Sequence, residues 1–135
     1  MKKNIKKIDK ALIVLNKGTV DETIKWKTVT LNNAPGLEGY EELNGNVYCC
    51  KHKGKRLCIY KYDTRYYVDE DAWYPSSSTR LLFINDDYAA EWCFPENRMI
   101  NDLYSSVSYQ IAQVDSFFDS CTEGFDDDYF ESTDD

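Results

Sequence analysis

Residues 46–62 read NVYCCKHKGKRLCIYKY, and this stretch decides the fold. Two strand-like runs, 46–52 and 56–62, are joined through Lys53-Gly54-Lys55, where glycine is free to take positive φ. This is a β-hairpin, so the sheet it seeds is antiparallel. Upstream, residues 23–31 (TIKWKTVTL) are rich in β-branched residues and read as a strand. Ile24 and Trp26 would share one of its faces and Val29 and Leu31 the other, which a bulge between the pairs reconciles. Downstream, residues 65–68 can extend the sheet. Residues 80–84, the turn Asn85-Asp86-Asp87 and residues 88–94 make a second hairpin, which Pro95 ends. The Asn-, Pro- and Gly-rich stretch 32–45 reads as a loop, and 69–79 (DEDAWYPSSST) as a long polar loop carrying two large aromatics.

Helical periodicity flanks these strands. Ile5, Ile8, Leu12 and Leu15 predict a short basic amphipathic helix over 4–17, with Gly18 as its C-cap. Ile100, Leu103, Val107, Ile111, Val114 and Phe118 form one stripe, with Asp102, Ser105, Ser108 and Asp115 off it. That pattern predicts one long helix over 99–119, N-capped by Asn97 and supplying about half of the core. The expected fold class is α+β: a four- to five-stranded antiparallel sheet, one long C-terminal helix packed across it and a short N-terminal helix. A chain of 135 residues fits one domain. Residues 1–121 form that domain, and residues 122–135 follow as an acidic C-terminal tail.

Charge is sharply segregated. Residues 99–135 hold ten carboxylates and no Lys or Arg, while the rest of the chain has fourteen Asp/Glu against sixteen Lys/Arg. Such an acidic end favours a basic partner surface. Asp115, Asp119, Glu123, Asp126, Asp127, Asp128 and Glu131 could imitate the phosphates of a nucleic acid, which in a duplex recur every ~1.7 Å of axis. Phe125, Tyr129 and Phe130 would add the buried anchors that charge alone lacks. The tail's three aromatics are too few to offset the ordering of fourteen residues and the repulsion among its carboxylates, so its order would need a partner. Trp73 and Tyr74, ringed by acidic residues, are a second set of anchors.

Motifs that carry chemistry are sparse. The single histidine, His52, lies two residues from Cys50, a spacing that allows a nucleophile and base but shows no third group to orient them. Zinc could be drawn from Cys50, His52 and Cys58 across the hairpin, yet no C-x₂-C knuckle exists. Asp69-Glu70-Asp71 and Asp86-Asp87 lack the ligand spacing of a calcium loop, and the glycines form no phosphate-binding fingerprint. No cofactor or metal is expected. Five cysteines, an odd number with an adjacent pair, point to reduced thiols in a cytoplasm. The apolar run near the start is five residues long, too short for a signal-peptide core. Nowhere do eighteen apolar residues run together, so no membrane partner is expected.

The leading expectation is a non-enzymatic acidic protein that blocks a basic, nucleic-acid-handling target, such as a nuclease complex. A phage anti-defence or anti-CRISPR inhibitor would be one case. A second reading is a nucleic-acid-binding module that uses Lys51, Lys53, Lys55 and Arg56, interleaved with aromatics, with the acidic tail as regulator. A third is a small ligand-binding domain or enzyme with a pocket under loop 69–79.

Overall fold

The computed structural model describes the backbone of residues 2–125 and the side chains of residues 7–125. In chain order the elements are α1 (Lys2–Val20), β1 (Lys27–Val29), β2 (Glu42–Leu43), β3 (Val47–His52), β4 (Lys55–Tyr67), β5 (Trp73–Ile84), β6 (Ala90–Cys93), α2 (Arg98–Ile111) and α3 (Val114–Thr122). The fold is α+β, with a fully antiparallel sheet in the order β1-β3-β4-β5-β6. The hairpin read from residues 46–62 is its centre. Lys53 and Gly54 both have positive φ (51° and 79°), as a two-residue turn between twisted strands requires.

β2 pairs with β4 beyond the end of β3, which brings the strand count to six. β2 and β3 are successive parts of one edge. From the pair Leu43–Tyr62 to the pair Tyr48–Ile59 this edge advances five residues while β4 advances three. The excess is a bulge holding Gly45 at φ 101°, a conformation that suits a residue without Cβ.

Both faces of the sheet are covered, which is why β3 and β4 carry unbroken buried runs rather than alternating ones. On one face Tyr48, Cys50, Leu57, Ile59 and Leu81 pack against Leu12 and Leu15 of α1 and Ile100, Leu103 and Val107 of α2. On the other, Cys49, Cys58, Tyr60, Tyr62 and Leu82 meet Ala34, Leu31 and Leu37 of the 30–45 connection. The strand expected over 23–31 is regular only at Lys27–Val29, but its side chains divide as the sequence implied. Ile24 and Trp26 enter the helical side of the core, and Val29 and Leu31 the other.

α1 and α2 run parallel to each other. Successive bonds join Asn97 to Asp9, Ser106 to Asn16 and Gln110 to the carbonyl of Thr19. Asn97 caps α2 as expected, accepting from the Met99 amide at 2.9 Å. α1 is longer than expected and Gly18 lies within it. A Cβ at Gly18 would stand 2.6 Å from Cδ1 of Ile24, so this glycine admits Ile24 onto the helix rather than ending it. Termination falls at Glu22, with φ 64°.

Two expectations fail. The long C-terminal helix is broken in two: Gln113 takes a left-handed conformation (φ 55°), and α3 leaves the line of α2. No residue of α3 is buried, and Phe118, expected in the core stripe, is 54% exposed. Residues 69–79 are not a loop either. β5 begins at Trp73 and pairs with β4 from Tyr67–Trp73 onward, leaving 68–72 as the turn of a long arm.

Candidate functional site

α3 carries an apolar stripe of which no residue is fully buried. Val114, Phe117, Phe118 and Cys121 recur at i, i+3, i+4 and i+7 and so share one helical face. Phe117 is 62% exposed. Asp115 and Asp119 flank the stripe, and Glu123 and Phe125 follow the helix, both exposed. Asp115 accepts a short hydrogen bond from the Tyr109 hydroxyl of α2, which braces the start of α3 and raises the tyrosine's pKa. The result is a short helix presenting three exposed side chains, Phe117, Phe118 and Cys121, in an acidic frame. Asp126, Asp127, Asp128, Tyr129, Phe130 and Glu131 lie outside the described residues.

Trp73 and Tyr74 stand elsewhere. They sit on the β4–β5 arm, where Arg65 stacks over the Trp73 ring at 4.4 Å and Tyr66 packs on Tyr74 at 5.1 Å. The base of the arm, Ser77 to Thr79, shares a cavity with Asn97 and Arg98 at the start of α2, whereas α3 follows its end. Fourteen residues of helix separate the two regions by about 20 Å. The residues singled out for partner binding therefore form two surfaces, not one. Residues 73–79 are strand rather than loop. A cavity of about 590 Å³ lies beside the arm, lined by Tyr40, Glu42, Asp63, Tyr67, Trp73 and Pro75.

The basic hairpin is likewise divided. Lys51 and Arg56 are cross-strand partners on the face covered by the 30–45 connection, while Lys55 pairs with His52 on the helical face. Lys53 occupies the turn. Lys55 and Arg56 each lie over a ring of the second hairpin, Phe83 at 5.6 Å and Tyr88 at 5.9 Å. Arg56 also approaches the exposed Asp86 at 3.8 Å. Two further cations join Lys51 and Arg56. Lys25 and Lys27 line the same cavity of about 340 Å³, with Cys49 in its wall and Tyr88 at its side. The spacing Lys25-Trp26-Lys27 signals this in the sequence, because alternate residues of a strand beside the hairpin share a face. Lys25 also shares a cavity with Ser116 of α3, which places the acidic helix and the basic hairpin at one end of the molecule.

Cys50 and His52 lie on one face of the sheet and Cys58 on the other, so the three cannot hold one metal. Among the described residues no group of three or more His, Cys, Asp or Glu could do so. Burial pushes the Cys50 thiol up to about 12, which keeps it protonated at neutral pH. All five cysteines are free thiols. No helix among the described residues is long and apolar enough to cross a membrane. Comparisons with protein-family models, curated proteins and solved structures find no match to this chain.

Proposed function

We propose that this protein is a non-enzymatic inhibitor that occludes a basic, nucleic-acid-handling protein target through α3 and the acidic residues that follow it. The observation that carries this reading is the exposed trio Phe117, Phe118 and Cys121, continued by the half-buried Val114 and flanked by Asp115 and Asp119 in a segment without a cation. Apolar anchors at this spacing suit a helix laid into a groove. Two adjacent phenylalanines provide the desolvated centre of such a contact. Carboxylates around them pair with Lys and Arg at the groove's rim, speed encounter, and take the positions of nucleic-acid phosphates.

The test is competition. Full-length protein is immobilised and exposed to an extract of the organism that carries it, then washed with duplex DNA. Retained proteins should bind nucleic acid themselves, should be released by the duplex, and should be held less firmly as salt rises. Retention that ignores duplex and salt, or that survives Asp126, Asp127 and Asp128 all changed to Asn, rejects the reading.

The placement of α3 beside Lys25 supports a second reading, in which the Lys51–Arg56 hairpin binds nucleic acid and the acidic segment shields it. Removal of residues 122–135 should then expose gel-shift activity. If neither form retards DNA or RNA, this second reading fails.

A further inference from the structure

We propose that Cys49 and Cys58 are a reversible thiol–disulfide pair whose oxidising substrate is a small anionic disulfide, such as glutathione disulfide, admitted by the basic cavity over Cys49. Occlusion of a target plays no part in this inference, so either proposal can fail alone.

The backbone places the two sulfurs together. Cys49 and Cys58 are directly opposed on β3 and β4, and their side chains share one face. His52 and Lys55 close the two-residue turn and are a hydrogen-bonded pair. Bonded and non-bonded pairs alternate from there, which makes Cys49–Cys58 a non-bonded pair. Pairs of that kind bring Cα atoms to about 4.5 Å, inside the range a disulfide spans.

The surroundings distinguish one sulfur from the other. Cys49 lines the cavity that Lys25, Lys27, Lys51 and Arg56 surround, and Lys27 is its cross-strand neighbour on β1. Among the described residues no carboxylate lines that cavity. The neighbouring Cys58 thiol favours the Cys49 thiolate, burial opposes it, and the charges of Lys27 and Arg56 favour it further, leaving its pKa below the ordinary thiol value. Cys58 is fully buried, and its pKa is shifted upward by the neighbouring Cys49 and by burial. Cys49 faces the basic cavity and Cys58 does not, which makes Cys49 the attacking sulfur and Cys58 the resolving one.

The exchange balances. The Cys49 thiolate attacks one sulfur of glutathione disulfide, the S–S bond breaks, and one glutathione thiolate leaves and takes a proton from water. Cys58 then gives up its proton and attacks Cys49 Sγ in the mixed disulfide, expelling the second glutathione thiolate. Two protein thiols are oxidised, and one disulfide is reduced to two thiols.

The experiment uses full-length protein carrying Cys93→Ser and Cys121→Ser, which removes the two exposed thiols. It is incubated with glutathione disulfide, quenched with acid and mapped by mass spectrometry. The expected product is a peptide pair linked through Cys49 and Cys58, and Cys58→Ser should stop at glutathionylated Cys49. Lys27→Gln with Lys51→Gln, both at exposed positions, should slow the reaction roughly tenfold with glutathione disulfide but not with the cationic disulfide cystamine. Absence of the linked peptide overturns the pairing. Equal slowing with both reagents, or no slowing with either, overturns the role of the basic cavity.

Discussion

Arg80 grips Glu41 through both terminal guanidinium nitrogens, each 3.1 Å from a carboxylate oxygen, and its guanidinium lies 4.1 Å from the Tyr62 ring centre. It also reaches the carbonyl of Gly36 at 3.0 Å, and the Tyr60 hydroxyl donates to Pro35 O at 2.6 Å. A stretch that reads as an irregular loop is thereby fixed over the second face of the sheet, completing the wall on which Cys49, Cys58 and Leu82 rest.

Breaking this pair should be costly. Both side chains are largely shielded, at 16% and 6% exposure, so Glu41→Gln leaves a cation without its counter-charge. The expected loss is about 3 kcal/mol in urea unfolding. Burial alone would raise the Glu41 pKa, but the bonds from Arg80 and from the Glu38 amide outweigh it and hold the carboxyl below its ordinary value of 4.5. A group lowered in the folded state stabilises in full above its unfolded pKa. Stability in the native protein should therefore fall as pH drops below 4.5 and through the lower folded value, and the fall should be shallower in Glu41→Gln.

Gly18→Ala should destabilise, although alanine normally improves a helix interior by roughly 0.5–1 kcal/mol. The added methyl would meet Ile24 Cδ1 at 2.6 Å and Cγ1 at 2.8 Å. Relieving that overlap means moving a buried side chain, for a net cost of about 1 kcal/mol. In an Ile24→Val background the cost should shrink, and equal costs in both backgrounds would show that the contact is not the cause.

Gln110 is the knot between three segments. Its amide oxygen accepts from the Trp26 amide at 2.8 Å, and its amide nitrogen donates to the carbonyls of Thr19 at 2.9 Å and Ile24 at 2.8 Å. Gln110→Ala strips all three at once and should lower stability by about 2 kcal/mol. Trp26 is the buried tryptophan, with Nε1 bonded to Thr19 Oγ1, so its emission should shift to the red in the variant.

The central hairpin was legible because Gly54 and its flanking runs state the turn and the strands together, and Asn97 announced α2 equally well. The break at Gln113 carried no such mark. Neither glycine nor proline stands there, and Val114 and Phe118 continue the spacing of the α2 stripe. Periodicity reports which residues could share a face but not whether a core waits beneath it. The arm was missed for the opposite reason. Pro75, three serines and an acidic turn all argue against a strand, and what holds them is cross-strand: Tyr66 on Tyr74, Arg65 on Trp73, and Ser77 Oγ donating to Asp63 at 2.6 Å. Pairings between residues eight to fourteen apart are invisible to local pattern. The basic cavity was half legible, through Lys51 and Arg56, and needed the β1–β3 register to bring in Lys27.

Phe117→Ser with Phe118→Ser separates a binding helix from a structural one. Neither ring is buried, so the melting temperature should move by less than about 2 °C, within the usual range for surface changes. A comparable double change at Leu103 and Val107, which are fully buried, should unfold the protein or nearly so. With folding intact, retention of the nucleic-acid-binding target should fall by roughly a hundredfold, because two anchors of this kind are each worth about 1–2 kcal/mol. A large drop in melting temperature would instead mean that α3 folds back onto the body and that its exposed stripe is part of the core. Unchanged melting with unchanged retention would move the contact away from α3, to the aromatic arm at the other end of α2.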